Sequence, residues 1–197
     1  MTRIIAGHAR GRRLEVPRTS TRPTSDRVRE AMFASVESRL LASARTWGEV
    51  SVCDLWAGSG AIALEAWSRG AQRVVAVDSA RDAVRVMEAN VATLGARGVQ
   101  VLRADAGTLL SGPPPGGSFD VVIADPPYDD DASSVRRALA DAVAAGWFAD
   151  GAIVVVERRV RGESPLPESI GVMDERTYGD TVLWYGRVTD GREEQPR

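Results

Sequence analysis

Three observations predict an α/β protein: alternating strand and helix patterns after residue 50, aspartates at the ends of four successive strands, and a glycine-rich turn after the first of those strands. The sheet is expected to be mostly parallel and seven-stranded, closed by a C-terminal antiparallel hairpin and preceded by a small N-terminal β-hairpin. A length of 197 residues fits one such unit.

Taken in order, Ile4 to Ala6 and Leu14 to Val16 are short apolar runs around Gly7 and Gly11, which predicts a hairpin with an Arg-rich turn. Arg22-Pro23-Thr24-Ser25 breaks the chain. Ser25 is placed to cap a helix through about Leu41, in which Val28, Ala31, Met32, Val36 and Leu40 fall near helical spacing. Ser51 to Leu55, Arg73 to Val77, Val99 to Arg103, Phe119 to Ala124 and Ala152 to Glu157 are compact runs rich in β-branched residues. Helical patterns lie between them near residues 61 to 69, 80 to 94 and 133 to 145. This rhythm puts helices on both faces of a parallel sheet. Val172 to Tyr178 and Thr181 to Val188 flank Gly179-Asp180, a favourable hairpin turn. Pro113-Pro114-Pro115-Gly116-Gly117 reads as an exposed connector. The expected organisation is a basic hairpin and arm over 1–24, one domain over 25–190 and a solvated tail over 191–197.

Composition removes several classes. No apolar stretch approaches the ~20 residues that span a bilayer, and the N-terminus lacks the long apolar run of a secretory signal. The single Cys53 cannot form an internal disulfide and reads as core, so a reducing, cytoplasmic setting is expected. Charge is unevenly spread: residues 1 to 30 hold eight arginines against three acids, a net +5, which leaves −7 for the rest of a chain totalling −2. A basic arm that meets a polyanion fits this asymmetry. All 25 basic residues are arginine, which suits bidentate contacts to phosphates and bases, although a codon bias toward Arg and Ala is the stronger account of it.

In open parallel sheets, ligands bind outside the carboxyl ends of the strands. Asp54, Asp78, Asp105 and Asp125 stand there. Any one of them can be an aspartate capping a turn or helix; four along one edge point to a site. After Asp54 comes Leu55-Trp56-Ala57-Gly58-Ser59-Gly60, whose glycines let a ligand approach the backbone, and Asp78 follows 18 residues after Gly60, where an acid can hold ribose hydroxyls. Alone, that pattern indicates an adenosine-containing cofactor.

The discriminating segment is Asp125-Pro126-Pro127-Tyr128. Consecutive prolines fix φ and remove two amide donors, so the loop can present the Asp125 carboxylate and the Pro126 carbonyl as acceptors. Two acceptors suit an NH2 group. The nitrogen of a guanine amine is a poor nucleophile because its lone pair is delocalised; holding both hydrogens turns that pair toward a sulfonium methyl in line. Tyr128 can stack on the flipped base.

Several segments together resemble the bacterial 16S ribosomal RNA guanine-N2 methyltransferases of the RsmD type. They are Arg3-Ile4-Ile5-Ala6-Gly7, Arg10-Gly11-Arg12-Arg13-Leu14, Arg22-Pro23-Thr24-Ser25-Asp26-Arg27-Val28-Arg29-Glu30, Ala57-Gly58-Ser59-Gly60 with Leu64-Glu65-Ala66, Asp125-Pro126-Pro127-Tyr128 and Tyr178-Gly179-Asp180-Thr181. The resemblance implies a Rossmann-like class I methyltransferase fold, S-adenosylmethionine as donor, and 16S rRNA in the assembling small subunit as substrate. It places Asp54, Gly58 and Gly60 around the methionine part of the cofactor, Asp78 at its ribose and Asp105 near its adenine. Ala57, Ser59, Ser79, Ala106 and Asp125 complete the expected cofactor neighbours. Asp125, Pro126, Pro127 and Tyr128 form the expected catalytic loop. Arg10, Arg12, Arg13, Arg22, Thr24, Arg27 and Arg29 are the expected RNA contacts. The family often has a small or aromatic residue where Leu55-Trp56 stand, so Trp56 is expected only to repack the pocket wall.

Other candidates read more plainly. His8 suits a surface position, Trp67, Trp147 and Trp184 suit packing, and Asp129-Asp130-Asp131 lacks companion ligands at a metal-binding spacing, so no metal is expected. A monomer is expected. Three rivals stay open: a nicotinamide-dependent dehydrogenase, which shares the glycine turn but leaves Asp125 to Tyr128 unexplained; a noncatalytic RNA-binding module; and an amino methyltransferase acting on adenine or on DNA.

Overall fold

Ser51–Leu55 is buried at every position, the pattern of a strand covered on both faces, and it becomes the central strand β3 of the sheet. The computed structural model describes residues 2–17, 24–127, 131–160 and 162–189. Ahead of β3 lie a short hairpin of β1 (Thr2–Arg3) and β2 (Arg13–Leu14) and helix α1 (Asp26–Ala42). After it come α2 (Ala61–Ser68), β4 (Arg73–Asp78), α3 (Arg81–Leu94), β5 (Val99–Arg103), α4 (Ala106–Leu110), β6 (Phe119–Ala124) and α5 (Ala132–Ala144). Then follow β7 (Phe148–Arg159), β8 (Ile170–Tyr178) and β9 (Thr181–Val188).

The seven-stranded sheet runs β5-β4-β3-β6-β7-β9-β8, parallel from β5 to β7 and antiparallel through β9 and β8. The chain therefore moves outward from β3 to β5 and returns to the other side of β3 as β6. That reversal opens a crevice at the carboxyl ends of β3, β4 and β6.

Alternation along the strands feeds two cores. Val52, Val74, Ala76, Val121, Ile123 and Val155 face Met32, Phe33 and Val36 of α1 and Ile62 and Ala63 of α2. Cys53, Leu55, Val75, Val77, Val122 and Val154 face Leu110 of α4 and Val135, Leu139 and Ala142 of α5. Each buried Leu, Ile or Phe contributes about 1.5–3 kcal/mol on transfer from water, so the sheet is held from both sides.

The N-terminal hairpin begins and ends earlier than the apolar runs Ile4 to Ala6 and Leu14 to Val16 suggest. Ile4, Ala9 and Leu14 are spent on a third cluster with Ala61, Leu64 and Ala96, which clamps the hairpin onto α2 and α3. Glu65, fully buried on α2, accepts hydrogen bonds from the backbone N–H groups of Ile5 (2.7 Å) and Ala6 (3.0 Å) and pairs with Arg69. Gly7 runs hard against the chain, for a Cβ there would lie 1.9 Å from the Ser68 carbonyl oxygen.

Ser25 caps α1 as expected, accepting from the N–H of Val28. β7 is longer than Ala152 to Glu157, because Gly151 at φ +70° kinks the strand where its pairing with β6 shifts register. α4, which the sequence reading did not anticipate, is five residues capped by Asp105. The Pro113 to Gly117 connector is tied down by Arg73, whose guanidinium donates to the carbonyls of Pro115, Gly117 and Ser118. The edge strand β8 carries a bulge: Val172 pairs with Gly186 and Asp174 with Tyr185, leaving Met173 without an opposite residue. Among the described residues no helix is long and apolar enough to cross a membrane.

Candidate active site

The glycine turn is shaped by backbone conformation. Gly58 (φ +56°) and Gly60 (φ +76°) both lie in the left-handed region, and so does Trp56 (φ +59°), which a bulky residue rarely adopts. Among the described residues a Cβ on Gly58 would meet nothing within 4 Å, so the space beside it is open, whereas one on Gly60 would stand 2.8 Å from Met87 Cγ. Asp78 clamps the turn: one carboxylate oxygen accepts from Gly58 N and the other from Ala80 N, both at 2.8 Å. Asn90 of α3 holds it from behind by donating to the Ser59 carbonyl (3.0 Å).

Asp54 lies beneath, fully buried. Its Oδ2 accepts from Ala63 N at 2.9 Å, while Oδ1 has no partner among the described residues. Burial pushes this carboxyl well above its usual range, and the charges of Asp125 and Asp78 add to the effect. An unpartnered buried acceptor below an open glycine turn fits a cofactor that brings a hydrogen-bond donor. Ser79 is exposed, with Arg103 against its carbonyl, and Ala106 is buried at the start of α4. Asp105 accepts from both the N–H and the hydroxyl of Thr108, so it is a helix cap as well as a strand-end acid.

Asp125 and Pro126 follow β6 directly, and the Asp125 N–H is fastened to the Leu55 carbonyl (3.3 Å). Arg158, at the end of β7, donates to the Pro127 carbonyl at 3.3 Å. Tyr128 lies outside the described residues, as do Arg22, Asp129 and Asp130. The Asp125 carboxylate Oδ2 stands 2.9 Å from Thr24 Oγ1, and Glu157 Oε2 stands 3.0 Å from the same hydroxyl. Burial pushes Asp125 up to about 6, against the opposing hydrogen bond from Thr24 and the charge of Arg158. Burial, then the charge of Asp125, pushes Glu157 up to about 8.

Two of the expected RNA contacts change place. Arg29 is 1% exposed; its guanidinium donates to the Arg3 carbonyl and to Asp26, and burial pulls it below its usual value, so it pins the hairpin to α1 and is closed to phosphate. Thr24 sits against Asp125 and Glu157 and spends its hydroxyl there. Arg10, Arg12, Arg13 and Arg27 are exposed, with Arg12 reaching the Thr93 carbonyl. Sequence reasoning passed over Glu157. It stands one residue past the last position at which β7 pairs with β6, and the rule that singled out Asp54, Asp78, Asp105 and Asp125 also reaches it.

His8 packs edge-on against Trp67, ring centroids 4.3 Å apart, and Trp147 is buried with its indole N–H on the Gly112 carbonyl. Asp131 caps α5, and among the described residues no cluster of His, Cys, Asp and Glu is arranged to hold a metal.

The model of a family described as "Conserved hypothetical protein 95" matches residues 2–187. The chain belongs to this family. It is 32% identical to the "Ribosomal RNA small subunit methyltransferase D" of Escherichia coli K12, over 96% of this chain and 91% of that protein. A protein of the same name from Haemophilus influenzae is 29% identical, over 90% of this chain and 89% of its own length. The solved structure of yhhF from Escherichia coli superposes with a TM-score of 0.80 at 31% identity, covering 95% of this chain and 97% of that one. Members of this family have a class I methyltransferase fold, and the RsmD-type resemblance read from the sequence holds over nearly the whole chain.

Proposed function

We propose that the chain transfers a methyl group from S-adenosylmethionine to the exocyclic N2 amine of a guanine in 16S rRNA of the small ribosomal subunit. The observation that carries this reading is the Asp125-Pro126-Pro127 loop at the switch point, one residue beyond β6 and beside the open glycine turn. It is supported by kinship with proteins named for methylation of small-subunit rRNA. In this reading Asp54, Ala57, Gly58, Ser59, Gly60, Asp78, Ser79, Asp105 and Ala106 line the place of the cofactor. Bound there, S-adenosylmethionine supplies an electrophilic sulfonium methyl whose bonding electrons stay with sulfur as the new N–C bond forms.

The protein's own part is to hold and deprotonate the amine. The Asp125 carboxylate oxygen that is not bonded to Thr24 and the Pro126 carbonyl accept its two hydrogens, which directs the nitrogen lone pair toward the methyl. A carboxyl at about 6 is mostly ionised at neutral pH yet basic enough to take the proton that methylation releases. The double proline has no N–H to compete for that carboxylate. Arg158 holds the loop through the Pro127 carbonyl. The exposed Arg10, Arg12, Arg13 and Arg27 engage RNA phosphates.

Incubation with labelled S-adenosylmethionine and either 16S rRNA or small-subunit particles, followed by mass analysis of nucleosides, should yield N2-methylguanosine. Asp125→Ala should keep cofactor affinity and lose roughly 10²-fold or more in single-turnover rate. A methylated adenine or cytosine, or near-normal turnover by Asp125→Ala, would overturn the reading.

A further inference from the structure

One hydroxyl hydrogen cannot serve two carboxylates. Thr24 Oγ1 lies 2.9 Å from Asp125 Oδ2 and 3.0 Å from Glu157 Oε2, so one of the two acids must bring a hydrogen of its own. We propose that Glu157 is a positioning residue of the methyl-transfer site: it stays protonated, donates to Thr24 Oγ1, and so turns the Thr24 hydroxyl hydrogen onto Asp125.

This inference rests on the reading of Asp125 as the acceptor of the target amine, and the surroundings decide which acid holds the proton. Glu157 is 2% exposed on β7, one residue past Val156, the last position paired with β6 (to Ala124), and opposite Leu183 of β9, which brings no charge. The α1 side presents Thr24, and the charge that bears on Glu157 is the negative one of Asp125. Asp125, in contrast, feels the guanidinium of Arg158. Desolvation penalises a charge on either acid, but among the described residues the cation that offsets it acts on Asp125, so the proton belongs on Glu157. The higher value of Glu157, about 8 against about 6, agrees with this order.

Such a relay has a mechanical use. A lone Asp side chain at the end of a strand rotates between staggered wells, and an acceptor that must meet one amine hydrogen loses rate when it does. The Glu157–Thr24 chain fixes one oxygen of Asp125 and leaves the other for the substrate. Because Thr24 adjoins Ser25, the N-cap of α1, the same bond fastens the catalytic loop to the helix whose exposed Arg27 faces solvent. Ionisation of Glu157 removes the donated hydrogen and sets two carboxylates against one hydroxyl.

The test compares single-turnover methylation across pH for wild type and four variants, with thermal unfolding in the presence of S-adenosylhomocysteine to establish that each is folded. Wild type should lose rate as pH rises through about 8. Glu157→Gln, whose amide N–H donates at any pH, should stay within about threefold of wild type at pH 7 and lose that alkaline limb. Glu157→Ala and Thr24→Val should fall about tenfold or more at pH 7, and Thr24→Ser should recover to within about threefold. Any titration of the RNA itself is common to all variants and cancels in the comparison. Independently of turnover, the side-chain carboxyl signal of 13C-labelled Glu157, assigned by its loss in Glu157→Gln, should report a protonated acid at pH 7. Identical alkaline limbs in wild type and Glu157→Gln, or a Glu157 signal already ionised at pH 6, would overturn the relay. Absence of methylated guanine with wild type would instead count against the proposed function, and the carboxyl titration would still test the proton's place.

Discussion

Met87 sets the limit on what the glycine turn accepts. A methyl group at position 60 would press to 2.8 Å on Met87 Cγ while the backbone is held at φ +76°, so crowding and a left-handed conformation act together. Gly60→Ala should destabilise by about 2 kcal/mol and weaken S-adenosylhomocysteine binding, as read by urea unfolding and calorimetry. Gly58→Ala meets no such wall and should cost only its strained φ, so a folded protein with reduced cofactor affinity is expected. At this scale the sequence was informative wherever chemistry depended on residue type and place along a strand. Asp54, Asp78, Asp105 and Asp125 were all visible at strand ends, although Asp105 proves to cap α4. It was silent wherever the role depends on distant partners. Nothing local in Arg-Pro-Thr-Ser-Asp-Arg-Val-Arg distinguishes Arg27, which is exposed, from Arg29, which is buried against the Arg3 carbonyl, or reveals that Thr24 meets residues 101 and 133 positions away.

Among the elements, the N-terminal hairpin shows how an anchoring contact can outweigh strand pairing. β1 and β2 share only two register pairs, too few to hold a hairpin in water. Glu65 supplies what they lack by accepting from Ile5 and Ala6. Glu65→Ala leaves two inward-facing amides and Arg69 without that carboxylate and should cost about 3 kcal/mol. Hydrogen exchange should rise over residues 4–15 and stay unchanged in β3, β4 and β6; equal protection throughout would mean that the apolar cluster alone holds the hairpin. The parallel strands β3 to β6 were legible to within a residue because each is a short apolar run with an aspartate within two residues of its end. β7 was not, since its first residues precede the kink at Gly151, and α4 is too short to show a helical period.

Over the molecule as a whole, charge and protonation predict behaviour that no single contact does. Replacing Arg10, Arg12 and Arg13 together should weaken RNA binding and flatten the log–log salt slope by roughly two to three units, since each phosphate contact contributes about 0.7–0.9. An unchanged slope would place the electrostatic contacts elsewhere. Glu157 and Asp125 also govern stability. Both are raised above their ordinary values of 4.5 and 3.8, so over the interval up to about 8 and about 6 the folded protein keeps protons that the unfolded chain has released. Their contribution is therefore fully present at low pH and is lost as pH rises through that interval, by at most about 1.4 kcal/mol per unit for each group. Urea midpoints of wild type should fall between pH 5 and 8 more steeply than those of Glu157→Gln, and parallel curves would contradict the assignment of the proton. Fold class was readable at this scale from strand and helix alternation. The +5 arm was readable too, but not that residues 2–17 share a core with α2 and α3.

The bulge in β8 matters for the molecule's company as much as for its shape. β8 is the last strand of the sheet, and its outer surface carries Val172, 55% exposed, and Met173, 41% exposed. A flat apolar edge of that kind is a template on which another chain can lay a strand and begin an aggregate. The extra residue at Met173 breaks the spacing of backbone donors and acceptors partway along, so an incoming strand that pairs with the segment before the bulge is out of step after it. Deleting Met173 restores an uninterrupted ladder while removing apolar surface. Faster self-association of that variant at elevated temperature, followed by light scattering, would show that the kink, and not the polarity of the edge, keeps the protein in solution.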